Sequence, residues 1–280
     1  TSVHQNSKVA NQATVDHTRQ RGECMDPKGT GELGTVVITG GGQGIGRAIV
    51  DLVLERGGTP IALDRDAASI EKLAKQAPTA VAMVCDVTDE GQIATCIAEA
   101  ESRVGPIDAL VNNAGIGAYF DAVEMTQEQW DLVFSVDLKA VWLVSKAVIP
   151  AMRRNGAGSI VNIASIHARM TVGGMFPYAA AKSGVIGLTR SLALDLAPEG
   201  IRVNAVSPGW TRTWLVDEYF QNQEDPKAAE DSVLNVHPMG RICEPREVAE
   251  VVCFLAGNRS SAVTGAEFCV DAGLGVRFAT

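Results

Sequence analysis

From Thr35 onward the chain alternates short, near-continuous apolar runs with longer amphipathic stretches. TVVIT, PIALD, AVAMVCD, DALVNN, SIVNIAS, IRVNAVSP and AEFCVD have the length and apolar density of buried strands. Between them, IGRAIVDLVLERG, AASIEKLAKQ, EGQIATCIAEAESRVG, a stretch from about Gln127 to Arg154, Tyr178 to Leu196 and PREVAEVVCFLAG carry apolar residues at helical spacing. A strand buried on both faces reads as a continuous apolar run, and parallel strands need a crossover that is usually a helix. The alternation predicts an α/β fold: one domain, with a seven-stranded parallel sheet flanked by helices on both faces. The stretch from Gln127 to Arg154 admits a break near Asp137. Residues 210–240 read as irregular with helical pieces, and no internal repeat is present.

Residues 1 to about 33 lack this periodicity and end in PKGTGELG. A flexible tail is expected there, with the domain spanning 34–280. Hydrophobic content of 46% and charged content of 20% are ordinary for a soluble globular chain. The net charge of -9 argues against nucleic acid, whose phosphates demand a basic face. No apolar run approaches the ~20 residues of a membrane span, and the N-terminus lacks the apolar core of a signal peptide. These features predict a cytoplasmic protein with neither a membrane nor a nucleic-acid partner. The six cysteines show no C-x-x-C and no paired Cys/His spacing, so they read as core thiols in a reducing compartment, with no metal.

The first strand runs straight into TGGGQGIG and a helix. Gly40, Gly44 and Gly46 would give a tight turn, close approach to a pyrophosphate and close helix–strand packing. The helix N-terminus offers unpaired N–H groups to the phosphate. The second strand ends at Asp64, about twenty residues past the glycines, where a carboxylate can bond ribose hydroxyls and repel a 2′-phosphate. Gln43 adds no positive charge, whereas Arg65 points the other way. NAD is expected over NADP. The competing reading makes Asp64 the N-cap of the next helix.

Tyr178 and Lys182 stand four apart on a predicted helix, hence on one face, with Ser165 thirteen positions upstream of the tyrosine. A tyrosine, with pKa ~10, handles protons poorly at neutral pH unless a nearby cation favours its phenolate. The three groups suit proton transfer at an alcohol or carbonyl.

TGGGQGIG, Asp86-Val87 after the third strand, NNAG at 112–115, Ser165, Tyr178-x-x-x-Lys182 and Pro208-Gly209 together resemble the short-chain dehydrogenase/reductase family over about residues 35–275. The resemblance implies a single Rossmann-type domain, a nicotinamide cofactor, hydride transfer to or from an alcohol or carbonyl, and no metal. It implies Tyr178 as general acid/base, Lys182 as its activator and ribose ligand, and Ser165 as holder of the substrate oxygen. Gly40, Gln43, Gly44, Ile45 and Gly46 would receive the dinucleotide, with Asp64 and Arg65 beside them. Asp86 and Val87 would meet adenine, and Asn113, Ala114 and Gly115 would line the cofactor. Pro208, Gly209, Thr211 and Thr213 would face the nicotinamide. One position departs: Asp137 stands where the family usually has an asparagine, whose backbone carbonyl holds a water that relays protons to the lysine. A carbonyl survives this change, and the added charge would raise the lysine's pKa.

The segment IHARMTVGGMF and the residues from Trp210 to about 240 should shape the substrate pocket. His167 and Arg169 would bind hydroxyls or a carboxylate. Trp210, Trp214, Leu215, Tyr219 and Phe220 would line the pocket, or pack a lid or subunit contact. The sequence looks most like the family's sugar, polyol and sugar-acid dehydrogenases, so the partner expected is a small-molecule substrate. Alternatives are a ketoacyl or small-ketone reductase, and a catalytically silent NAD-binding scaffold that intact Ser165, Tyr178 and Lys182 argue against. The family also implies a homotetramer, in which Arg277 or Phe278 approaches a neighbour's pocket.

Overall fold

The computed structural model describes residues 33–277. Seven strands alternate with nine helices among them: β1 (Thr35–Thr39), α1 (Gly44–Glu55), β2 (Thr59–Asp64), α2 (Ala67–Gln76), β3 (Val81–Val84), α3 (Glu90–Val104), β4 (Ala109–Asn112), α4 (Gln127–Phe134), α5 (Ala140–Asn155), β5 (Gly158–Ile163), α6 (Phe176–Leu196), β6 (Ile201–Pro208), α7 (Trp214–Gln221), α8 (Pro226–Val236), α9 (Pro245–Ala256) and β7 (Glu267–Val270). All strands are parallel, in the order β3-β2-β1-β4-β5-β6-β7. Alternate residues of each strand point to opposite faces, and both faces are apolar. Val37, Ile61 and Leu110 pack with α3 and α5 on one side. Val36, Ile38 and Val111 pack with α1 and α9 on the other.

The order reverses between β1 and β4, whose hydrogen-bonded neighbours are β2 and β5 respectively. Such a reversal opens a crevice at the carboxyl ends of the strands. The break expected near Asp137 is a π-helical turn, Ser135–Lys139, between α4 and α5. Segments of this kind mark functional sites in many helices.

Two expectations need correction, and one competing reading is set aside. Leu33, assigned to the tail, is 2% exposed and belongs to the core beside α1; the rest of the tail, with Cys24, lies outside the described residues. Cys269 is exposed, because β7 ends the sheet, whereas Cys85, Cys96, Cys243 and Cys253 are core thiols as expected. Asp64 does not cap α2; Asp66 does, accepting from Ala68 N–H at 3.1 Å.

A buried polar ladder crosses the core under the crevice. Asn112 Nδ2 donates to Asn162 Oδ1 at 2.9 Å and to Ser145 Oγ at 3.1 Å. Asn162 Nδ2 donates to Thr189 Oγ1 at 2.9 Å. Ser145 and Thr189 donate in turn to carbonyls one turn back, on Val141 and Val185. The ladder joins β4, β5, α5 and α6. Asn162→Ala would leave one of the two Asn112 Nδ2 protons without an acceptor in the interior, the other still reaching Ser145, and an unmet buried donor costs about 1–3 kcal/mol. A lower denaturation midpoint with an unchanged slope is the expected result, and unchanged stability would mean that the ladder contributes nothing.

Candidate active site

The glycine turn shows its chemistry in its geometry. Gly40 and Gly44 have φ of +64° and +56°, which favour glycine. A Cβ on Gly46 would lie 2.0 Å from the Gly40 carbonyl oxygen, so α1 approaches the turn only because that atom is missing. The helix cap, Gln43, makes no side-chain capping bond. The first N–H groups of α1 are thus free of the usual side-chain acceptor and face the crevice, where an anion would meet them.

The turn is closed by the end of β4. Asn113 Nδ2 donates to the carbonyls of Thr39 at 2.9 Å and Gly40 at 3.1 Å. Thr39 Oγ1 accepts from the N–H groups of Asn113 and Ala114. Thr39 opens the TGGGQGIG motif, but the sequence alone assigns it no role of its own. Asp64 accepts from Gly42 N–H at 3.0 Å and Asp66 N–H at 3.1 Å, which hold its carboxylate at the rim. Asp86 accepts from Thr88 N–H and Oγ1. Burial pushes the Cys85 thiol up to about 12, making it an inert wall of this end.

These groups line one cleft of about 640 Å³, within the range of ligand pockets. It brings together Gly40, Gln43, Gly44, Ile45, Asp64, Arg65, Asp86, Val87, Asn113, Ala114, Gly115, Ser165, His167, Tyr178, Lys182, Pro208, Gly209, Trp210, Thr211, Thr213 and Trp214. Gly46 packs behind the turn, and Asp137 lies behind Lys182. Met175 and Val216 come from the two segments expected to shape the pocket, whereas Tyr119 is an unforeseen wall. Phe220 is buried behind Trp210, with ring centroids 5.8 Å apart, and packs the lid instead of lining the cleft. Arg169 is not brought to the cleft. Its guanidinium turns outward onto Glu267 of β7, at 2.8–3.1 Å, because that carboxylate is nearly buried and needs a cation. Arg277 bonds the Asn235 carbonyl of its own chain at 2.5 Å, and Phe278 lies outside the described residues.

Ser165 sits in extended backbone just past β5, and its Oγ accepts from His167 N–H at 3.2 Å. The hydroxyl proton stays available to a substrate oxygen. Lys182 is 3% exposed on α6. Its ammonium donates to the Ile163 carbonyl at 3.2 Å, lies 3.3 Å from Asp137 Oδ1 and stands 5.5 Å from the Tyr178 ring centroid. Asp137 is fully buried; its Oδ1 also accepts from Ile116 N–H at 3.1 Å, and its Oδ2 has no partner. A Cβ on Gly115 would fall 2.7 Å from Asp137 Oδ1 and 3.2 Å from Lys182 Nζ, so the glycine makes room for the pair.

Burial pushes the Asp137 carboxyl above its ordinary range, against the pull of Lys182 and the Ile116 N–H. Burial also works to lower the lysine, but the Asp137 carboxylate and Tyr178 override it, so Lys182 holds its proton to higher pH than usual. A raised lysine contributes stability that is present below its unfolded pKa and lost as pH rises through the folded one. Asp137→Asn keeps an acceptor for Ile116 but removes the charge. The lysine should then lose its proton earlier, and the alkaline limb of the activity profile should move down by about 1 pH unit. A superimposable alkaline limb would show that the carboxylate's charge does not reach the chemistry.

A family model described as enoyl-(acyl carrier protein) reductase matches residues 40–275. The 3-oxoacyl-[acyl-carrier-protein] reductase of Thermotoga maritima is 40% identical over 242 residues, covering 85% of this chain and 96% of that protein. Galactitol 2-dehydrogenase (L-tagatose-forming) of Cereibacter sphaeroides is 39% identical over 240 residues, covering 84% of this chain and 92% of that protein. Among solved structures, the ligand-free aldohexose dehydrogenase of Thermoplasma acidophilum superposes with a TM-score of 0.82 at 35% identity, covering 88% of this chain and 96% of that one. With the glycine turn, the Ser165–Tyr178–Lys182 cleft and the seven-stranded parallel sheet, these matches show that the chain belongs to the short-chain dehydrogenase/reductase family of nicotinamide-dependent oxidoreductases.

Proposed function

We propose that this protein transfers a hydride between NAD(H) and a secondary alcohol or its carbonyl. The observation that carries the reading is the convergence of Ser165, Tyr178 and Lys182 on the cleft that the glycine turn opens. Ser165 orients the reacting oxygen, and the Tyr178 hydroxyl exchanges its proton. Lys182, clamped by Ile163 and Asp137, supplies the fixed positive charge beside the ring. The residues fit a dinucleotide: the α1 N-terminus for the pyrophosphate, Asp64 for the adenosine ribose, and Asp86 and Val87 near the base. When bound, its nicotinamide takes or gives the hydride.

NAD is favoured over NADP because the Asp64 carboxylate is held at the rim by two backbone N–H groups and cannot swing clear of a 2′-phosphate. The similarity to an acyl-carrier-protein reductase favours a second reading, reduction of a ketone, in which NADPH would be used. A sugar or polyol substrate is supported by the likeness to galactitol and aldohexose dehydrogenases. A sugar acid loses support, because Arg169 is engaged by Glu267. A silent scaffold has no need of the complete proton-handling set.

For assembly, a homotetramer is supported by the outer face of α4–α6. There Trp142 and Leu132 are exposed, and a shallow groove runs past Leu138, Gly184 and Gly187. Light scattering should report four chains per particle, and a monomer would refute that part. No described helix is long and apolar enough to cross a membrane; a cytoplasmic site remains part of the proposal.

Tyr178→Phe should lower kcat by about 10²-fold or more while NADH binding, read by fluorescence, stays within twofold. Retained turnover would remove the tyrosine from the chemistry. In wild type, kcat/KM with NAD should exceed that with NADP by about tenfold or more, a difference of ~1.4 kcal/mol. The opposite order would favour the ketone-reductase reading.

A further inference from the structure

Beyond Tyr178 the cleft is walled by Met175 and His167 on one side, by Trp210, Leu215 and Tyr219 from the segment after β6, and by Tyr119 from the loop after β4. Among the described residues that line it, the side chains of fixed charge are Asp64, Arg65, Asp86 and Lys182. The first three stand at the ends of β2 and β3, at the far end from Tyr178. Lys182 lies behind the tyrosine and is already paired with Asp137. Burial lowers the His167 pKa further below neutrality, so its imidazole is neutral at pH 7; its Nδ1 pairs with Thr171 Oγ1 at 2.9 Å.

Two arginines that lie near lining residues in the sequence are both taken. Arg169 is engaged by Glu267. Arg212 lies between two lining threonines, yet its guanidinium reaches Glu230 at 2.5 Å and Asp217 at 3.2 Å. A carboxylate or phosphate placed here would be desolvated without a partner, which is strongly unfavourable. At the same time, large apolar side chains stand open around the mouth: Tyr119 is 54% exposed, Leu215 50%, Trp214 47% and Tyr219 37%. A contiguous exposed apolar surface of this kind marks a binding groove. Trp210 packs with Tyr219 at 5.2 Å and Phe220 at 5.8 Å in a mutual cluster whose third edge is 5.7 Å, which restrains its ring. Fixed aromatic rings accept flat or ring-shaped apolar faces.

We infer that the substrate is an uncharged, ring-bearing secondary alcohol or ketone that lays an apolar face against this aromatic wall. This rests on the hydride-transfer reading of the same site. The ring's reacting oxygen meets Ser165 and Tyr178, and the rest of the molecule meets no charge. Neutral ring sugars fit the inference; sugar acids and phosphorylated acyl carriers do not.

The test compares matched pairs on the NAD-loaded protein at pH 7. The first pair is cyclohexanol and 4-hydroxycyclohexanecarboxylate; the second is a neutral aldohexose and its uronic acid. In at least one pair the neutral member should be oxidised with kcat/KM about tenfold or more above its acid. Leu215→Arg, a change at a half-exposed position, should raise kcat/KM for the acid at least tenfold and leave NAD binding unchanged. Acids that equal or exceed their neutral partners would overturn the inference while leaving hydride transfer standing. A preference for open-chain polyols over both rings would overturn it too. If NAD binds but no secondary alcohol, cyclic or open, charged or neutral, reduces it, hydride transfer itself falls and the inference with it.

Discussion

Everything at the site depends on one constraint: the seven strands run parallel, and their order reverses between β1 and β4. A parallel sheet places all its carboxyl ends on one edge, and successive right-handed crossovers leave that edge lined by loops. The glycine turn leaves β1 there, Asp64 and Asp86 stand at the ends of β2 and β3, and NNAG, Ser165 and Pro208-Gly209 at the ends of β4, β5 and β6. Residues more than 160 positions apart share one cleft because the strands that carry them are pinned in register by backbone bonds. The polar ladder through Asn112 and Asn162 adds a second restraint. It ties β4 and β5 to the two helices whose upstream turns bring in Asp137, Tyr178 and Lys182.

Within that frame, the buried Lys182–Asp137 pair is the most demanding local arrangement. Taking two charges out of water is costly, and the cost is recovered only with good geometry and further hydrogen bonds. The ammonium has both a carbonyl and a carboxylate; the carboxylate has the ammonium and one backbone N–H, with its second oxygen unmet. The π-helical turn and the missing Cβ at Gly115 make room for it. The result is a lysine fixed in position and firmly protonated, with part of its charge offset by a neighbour that an asparagine would not provide.

At the substrate end the governing fact is how the arginines are spent. Glu267 and Glu230 each engage a guanidinium, and under the proposed reading the aromatic residues of the segment after β6 define what enters. Selection by absence of charge works through desolvation: a neutral ring loses little on leaving water, whereas an anion loses a great deal without a cation to receive it.

The amino-acid sequence by itself determined the parallel sheet, nearly every strand and helix, the glycine turn, and the Ser165–Tyr178–Lys182 set. Apolar periodicity is a local property, and a strand buried on both faces has little freedom to be anything else. Even the break at Asp137 was legible, although not its π-helical form. Tertiary structure alone decided which partners the charged side chains took. Arg169 and Glu267 are 98 residues apart, and no local pattern encodes their contact; the nearness of Asp137 to Lys182, 45 positions on, was expected only through the family resemblance, and its direct contact came from the fold. The same holds for Leu33, whose burial depends on a core built by distant helices, and for Tyr119, which reaches the cleft only through the path of its loop. Long, flexible charged side chains go to the nearest unmet opposite charge, and that neighbour exists only once the strands have been laid side by side.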